Sequence, residues 1–154
     1  VCPKVPVQRC LVRIQRMCKI WLSAYPKSEA GFELREIVCK LHFIDDEVKK
    51  QYWIKEFLDW FEKHKDFLNE KSYSLETGRF WYTHKMVRRC FSVIRKALPN
   101  MFTFLQNHKI PKTTNGIESF FGHLKGNLNI HRGLTKSRRK KFIQWYLFYK
   151  NIKS

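Results

Sequence analysis

The sequence predicts a mostly α-helical protein with at most one or two short strands, on three grounds. Apolar residues recur at three- and four-residue spacing through most of the chain, the period of helices with one buried face. Prolines stand between the periodic stretches, at Pro26 and Pro99, where a helix has to stop. The 154 residues are 44% apolar and include 13 Phe, 6 Tyr and 5 Trp, enough to fill the core of about one domain and to exclude wholesale disorder.

Val5, Pro6, Val7, Gln8, Arg9 and Cys10 are short and β-like, and the prolines put them at a sheet edge or just before a strand. Over residues 11–24, Leu11, Ile14, Met17, Cys18 and Trp21 mark a first helix, ended by Tyr25 and Pro26. Ser28 and Glu29 open a second helix, whose buried face is Phe32, Leu34, Ile37, Val38 and Leu41. Asp45, Asp46 and Glu47 suit the amino terminus of a third, which carries Trp53, Phe57, Trp60, Phe61, Phe67 and Leu68. After Ser74 a fourth helix is expected. Phe80, Val87 and Ile94 sit seven apart, as do His84, Phe91 and Leu98, a continuous stripe closed by Pro99. Within residues 99–112, Met101, Phe102, Phe104 and Leu105 should pack as a short helix. A long helix from Asn115 to about Lys125 follows, then a break at Gly126-Asn127 and Arg132-Gly133, then a last helix over about residues 135–150. The aromatic stripes could be stacking platforms for unpaired bases, but their spacing alone favours helix–helix core. No internal repeat or low-complexity segment interrupts the chain.

Net charge is +18 and the isoelectric point is near 10.0. Such an excess implies a polyanionic partner, because Lys and Arg gain by releasing counterions from a phosphate backbone. An anionic membrane surface is the second candidate and needs an apolar anchor. No run approaches the roughly 18 consecutive apolar residues of a span, and no basic start leads into an apolar core and cleavage site. The expectation is a nucleic-acid-binding protein without a membrane partner, cytoplasmic and nucleoid-associated. The charge is also uneven. Residues 1–76 hold 14 basic and 12 acidic residues, whereas residues 77–154 hold 17 basic residues and one acidic residue, Glu118. A solvated helix face usually mixes both signs; here one sign is missing, which favours nucleic-acid contact by the second half.

Cys2, Cys10, Cys18, Cys39 and Cys90 are odd in number and widely spaced, with no Cys-x-x-Cys pair. That argues against a disulfide framework and a zinc ribbon and leaves reduced, mostly buried thiols. The six histidines are scattered, and there is no glycine-rich phosphate loop, Ser-His-Asp arrangement or His-x-x-x-His pair. No cofactor-binding residue is assigned on these grounds.

One segment carries chemistry: Pro111, Lys112, Thr113, Thr114, Asn115, Gly116, Ile117, Glu118, Ser119, Phe120, Phe121, Gly122, His123, Leu124 and Lys125. Glu118 stands one turn into a helix, flanked in sequence by Lys112, Lys125 and Arg132. The plainer interpretation is a capping box, in which Asn115 and Glu118 satisfy backbone N–H groups at the helix start. Against it, Glu118 is the sole carboxylate of the most basic region, and a cap worth about 1 kcal/mol is available from Gln. A helix amino terminus favours negative charge, which a divalent-metal ligand requires.

Thr113-Thr114-Asn115-Gly116-Ile117-Glu118, then Leu124-Lys125 and His131-Arg132-Gly133, resembles the end of the catalytic domain of Mutator-like bacterial insertion-sequence transposases. Val5-Pro6-Val7-Gln8-Arg9-Cys10-Leu11-Val12-Arg13 and the basic helix after it resemble the segment that follows the second catalytic aspartate in those enzymes. The resemblance spans nearly the whole chain, in the same order. It implies a ribonuclease-H-like catalytic domain with two aspartates and one glutamate on divalent metal, Mg²⁺ or Mn²⁺, and a helical insertion between the second aspartate and the glutamate. Residues 1–25 would end the catalytic core, 26–110 would be the insertion, and 111–154 the carboxyl-terminal core helices with a DNA-contacting segment.

By the same resemblance Glu118 matches the third acidic residue, catalytic and metal-ligating. The two aspartates have no counterpart and would lie upstream of Val1; Asp45, Asp46, Asp59 and Asp66 fall in the insertion-like helices and do not replace them. Relatives often carry Cys-x-x-His where this chain has Cys10 and Arg13. The complete enzyme, a homo-oligomer, would hydrolyse a phosphodiester at a transposon end and join the 3′-hydroxyl to target DNA, with two metal ions activating the nucleophile and stabilising the leaving oxygen. Lys112, Lys125 and Arg132 would neutralise the phosphates near the scissile bond, and Asn115 would also contact DNA. Arg138, Arg139, Lys140 and Lys141 would grip the backbone without reading sequence, unless they form only a solvated helix face. With one carboxylate the chain alone should bind DNA without cutting it. A non-enzymatic helical DNA-binding or architectural module explains the charge equally well, and an RNA-binding accessory protein is a weaker third possibility.

Overall fold

A computed structural model describes residues 6–152, and it is mostly helical, 70% by residue, with one two-stranded antiparallel sheet. The chain divides into two units, Val1–Thr113 and Thr114–Ser154.

In the first unit, helix α1 spans Leu11–Leu22 and buries Leu11, Ile14, Cys18 and Leu22, residues three or four apart on one face. Ser28 opens α2 (Glu29–Lys40) by accepting the Gly31 N–H on Oγ at 3.2 Å, and Asp46 opens α3 (Glu47–Asn69) by accepting the Lys49 N–H on Oδ1 at 2.7 Å. At the other end of α2 the Leu41 N–H turns to the Val38 carbonyl, and the last carbonyls take donors from neighbouring helices. The buried Trp53 indole donates to Ile37 O at 2.8 Å, and Gln15 Nε2 of α1 lies 3.1 Å from both Val38 O and Cys39 O. The cap of α2 is thus also the joint that locks α1, α2 and α3 together.

Trp53, Phe57 and Trp60 stack along the buried face of α3, with successive ring centroids 5.5 and 6.1 Å apart. Helix α4 (Lys85–Ala97) adds Phe91, which stacks on Phe61 at 4.5 Å, and buries Cys90 and Ile94. The aromatic stripe of α3 is therefore core, as its spacing suggests. Cys18 and Cys90 are buried thiols and Cys10 and Cys39 half-buried ones; Cys2 lies outside the described residues.

Phe32, expected on the buried face of α2, is exposed, and two further expectations fail in this unit. The fourth helix does not begin after Ser74. Strands β1 (Lys71–Tyr73) and β2 (Phe80–Tyr82) form a hairpin in which Lys71 faces Tyr82 and Tyr73 faces Phe80. Gly78, at φ +63°, turns the chain, and three consecutive aromatics in β2 suit a pleated ribbon better than a helix. Phe80 thus leaves the heptad stripe, and His84 only precedes α4, its ring stacked on Phe67 at 3.5 Å. The second failure is the β-like opening. Val5 lies outside the described residues, and residues 6–10 form no strand. They dock on a helical turn, Leu98–Asn100, and the single-turn helix α5 (Thr103–Gln106), which offer no ladder. Gln8 uses both ends of its amide, Nε2 on Met101 O at 2.6 Å and Oε1 from the Phe104 N–H at 3.0 Å. The Arg9 N–H adds a bond to Asn100 O at 2.7 Å.

The second unit contains α6 (Asn115–Ile130) and α7 (Lys136–Ile152). Phe120 meets Tyr146 edge-on at 5.5 Å, and His131 lies 5.6 Å from Phe142. The expected break at Gly126-Asn127 is absent. An interior glycine costs a helix about 1 kcal/mol and does not end it unless the backbone turns left-handed, and α6 continues to Ile130. The chain reverses only over residues 131–134, after which Thr135 caps α7 by accepting the Arg138 N–H at 3.4 Å.

Candidate nucleic-acid interface

Glu118 is exposed in the first part of α6, whose N-cap is Thr114. Thr114, and not Asn115, is the N-cap, so α6 starts one residue earlier than the capping box read from Asn115 and Glu118 requires. Asn115 is the first helical residue, and the Thr114 side chain makes no cap hydrogen bond to the backbone. Instead the Thr114 hydroxyl donates to Glu118 Oε1 at 2.8 Å, one turn along the helix, over a backbone bond from the Glu118 N–H to Thr114 O at 2.8 Å.

Lys125 follows Glu118 by seven residues and so shares its face of α6, about 10 Å further along the axis. Asn115 precedes Glu118 by three, near the same face. Gly122 lies between Glu118 and Lys125, and nothing stands within 4 Å of where a Cβ would be at Gly122 or Gly126. This side of α6 is an open strip bearing one anion and one cation. Arg132 lies exposed in the turn after α6.

The cluster at the start of α7 is not a single patch. Consecutive helical residues step about 100° around the axis, so Arg138, Arg139, Lys140 and Lys141 encircle the helix. Arg138 and Lys141, three apart, share one side; Arg139 and Lys140 point away from it. All four are exposed, with Lys136 at the same end and no acidic residue in the first turn. Cations at a helix amino terminus oppose the helix dipole, so an incoming phosphate is favoured there twice, by the side chains and by the N–H groups.

Lys112 belongs to the first unit, apart from the other candidates in this respect. It is half-buried, its Nζ donates to Ile44 O at 2.8 Å, and it lies 5.2 Å from the Phe104 ring centroid. Its ammonium braces the packing of that unit.

The cations of α4 belong to no motif. Lys85, Arg88, Arg89, Arg95 and Lys96 lie on a helix with no acidic residue. Arg88 spreads over Tyr82 at 3.6 Å and Arg89 over Trp21 at 4.3 Å, so aromatic faces hold both in place. Arg88, Arg95 and Lys96 also line a cleft of about 590 Å³ with Phe61 and Asn69. The missing acidic partner in residues 77–113 was the available signal. Of the aromatics of α7, Tyr146 packs on Phe120 and Phe142 on His131. No residue of α7 is buried among those described, and Trp145, Phe148 and Tyr149 are more than half exposed.

No described helix is long and apolar enough to cross a membrane. No family model matches the chain, and neither a curated protein nor a solved structure matches it.

Proposed function

We propose that this chain is the carboxyl-terminal part of a DNA transposase of the Mutator-like insertion-sequence type, which binds DNA and contributes Glu118 to a ribonuclease-H-like catalytic domain. The observation that carries this reading is Glu118 itself. It is the sole acidic residue of residues 77–154, and it stands exposed at the start of α6 in a unit that otherwise carries only positive charge. A carboxylate so placed weakens phosphate binding unless a cation bridges the two, which a divalent metal ion does. Lys125 on the same face, and Arg132, Arg138 and Lys141 beyond it, would neutralise the backbone on either side.

Among the described residues no group of three or more His, Cys, Asp or Glu could hold a metal ion. Glu118 offers a single carboxylate, whereas the resemblance implies three carboxylates holding the metal ions together with substrate phosphate. The residues present therefore do not make a self-sufficient site, and the chain by itself is assigned DNA binding without cleavage. In the complete, homo-oligomeric enzyme the two aspartates would supply the remaining carboxylates. A non-enzymatic architectural module is the second reading, favoured by the Thr114–Glu118 hydrogen bond, which gives the carboxylate a local duty.

Fluorescence anisotropy with a labelled duplex, titrated at several salt concentrations, tests the binding. Several phosphate contacts require log K to fall linearly with log salt, with a slope near −0.9 per phosphate neutralised. A flat response from low to moderate salt would remove the basis for both readings.

A further inference from the structure

We propose that one face of α7 is a site for unpaired nucleotides, with Trp145 and Tyr149 stacking on bases while Arg138 and Lys141 hold the adjoining phosphates. This rests on the nucleic-acid reading above and deepens it, from backbone binding to recognition of single-stranded DNA.

Trp145 and Tyr149 lie one turn apart, their rings 5.7 Å centroid to centroid and 24° from parallel, and each is 58% exposed. They form with Phe142, Tyr146 and Lys150 a groove of about 410 Å³. Lys141 precedes Trp145 by four residues and Arg138 precedes it by seven, so both fall on the same helix face. The stripe therefore runs from cation to aromatic along one side of one helix, at about 5.4 Å per turn. Single-strand binding surfaces combine these two elements, a basic track for the backbone and aromatic faces for the bases. Duplex DNA has no use for the aromatic half, because its bases are already stacked on each other.

Other occupants fit less well. A second copy of the chain offers no carboxylate on α7 to neutralise Arg138 and Lys141 in either orientation, and paired in parallel it would set them against their own kind. A helix lying on a membrane keeps its cations on the side opposite its apolar residues. On α7, Arg138 and Lys141 instead share the side of Trp145 and Tyr149.

The test is anisotropy of the full chain with a labelled 20-nucleotide poly-dT strand and with a duplex of the same length, alongside Trp145→Ala, Tyr149→Ala and Trp145→Phe. The aromatic targets are exposed, so circular dichroism should be unchanged. Loss of one stacked base lowers affinity by roughly tenfold. Trp145→Ala is expected to weaken single-strand binding by about that factor, Tyr149→Ala by somewhat less, and Trp145→Phe by under about threefold, while duplex affinity stays within about twofold. Equal losses on strand and duplex, or no loss on the strand, overturn the stacking site and leave the proposed function standing. Failure of the unsubstituted chain to bind either DNA overturns both. Dissociation of a dimer by Trp145→Ala in sedimentation, or binding to phosphatidylserine vesicles that Trp145→Ala abolishes while single-strand affinity is untouched, assigns the face elsewhere and overturns the proposal.

Discussion

Thr114 holds Glu118 by a hydroxyl-to-carboxylate hydrogen bond of 2.8 Å across the first turn of α6, leaving the glutamate exposed. Glutamine accepts the same bond, so Glu118→Gln should leave the fold intact while removing the one negative charge of this basic unit. DNA affinity in the absence of divalent metal should then rise by about twofold. In an intact transposase carrying both aspartates, the same substitution should abolish plasmid nicking with Mg²⁺ or Mn²⁺. Near-normal nicking would reduce Glu118 to a helix-end residue, and robust Glu118-dependent nicking by this chain alone would show that the other carboxylates are not needed.

Gln8 ties the opening segment to residues some 95 positions away by bonding Met101 O and the Phe104 N–H with one amide. Gln8→Ala leaves a partly buried donor and acceptor without that partner. Urea unfolding should show a loss of about 1–3 kcal/mol with an unchanged m-value. A loss below about 0.3 kcal/mol would mean that solvent replaces the amide at no cost.

Glu33 accepts hydrogen bonds from Lys63 Nζ at 2.6 Å and His64 Nε2 at 2.8 Å, which hold its carboxyl below the ordinary value of 4.5. A carboxylate depressed in the folded state stabilises it at pH above the unfolded value, and the contribution is lost as pH falls through the folded value. Stability should therefore decline from about pH 5 downward, and Glu33→Gln should flatten that acid limb while lowering stability at pH 7. Parallel acid limbs for the two proteins would exclude Glu33 as a source.

Gly126 lies inside α6, and apart from its chain neighbours and the backbone of its own helix nothing stands within 4 Å of where a Cβ would be. Gly126→Ala should stabilise the helix by about 1 kcal/mol, read as a rise in melting temperature of the helical signal. If melting is unchanged, α6 does not limit the stability of its unit.

Helix starts were legible in the sequence wherever a short polar side chain could fold back on its own backbone. Ser28 and Asp46 cap α2 and α3 through bonds spanning three residues, interactions that the local sequence specifies by itself. The asymmetry of charge was equally plain, because it is a count. Periodicity placed the core of α3 correctly, yet it could not tell Trp60 from Trp145. Both sit among aromatics at helical spacing, but one is buried and the other exposed. Spacing says which residues share a face; only the arrangement of the other helices says whether anything covers it. The same limit hid the hairpin, since Phe80, Val87 and Ile94 keep a seven-residue interval whether or not the chain between them is helical. It also hid the contact of Lys112, whose positive charge is visible in the sequence but whose ammonium donates to Ile44 O, 68 residues away. Composition and local capping were set by the sequence alone, and the tertiary structure decided which apolar and charged groups remain available to a partner, because availability depends on contacts between residues distant along the chain.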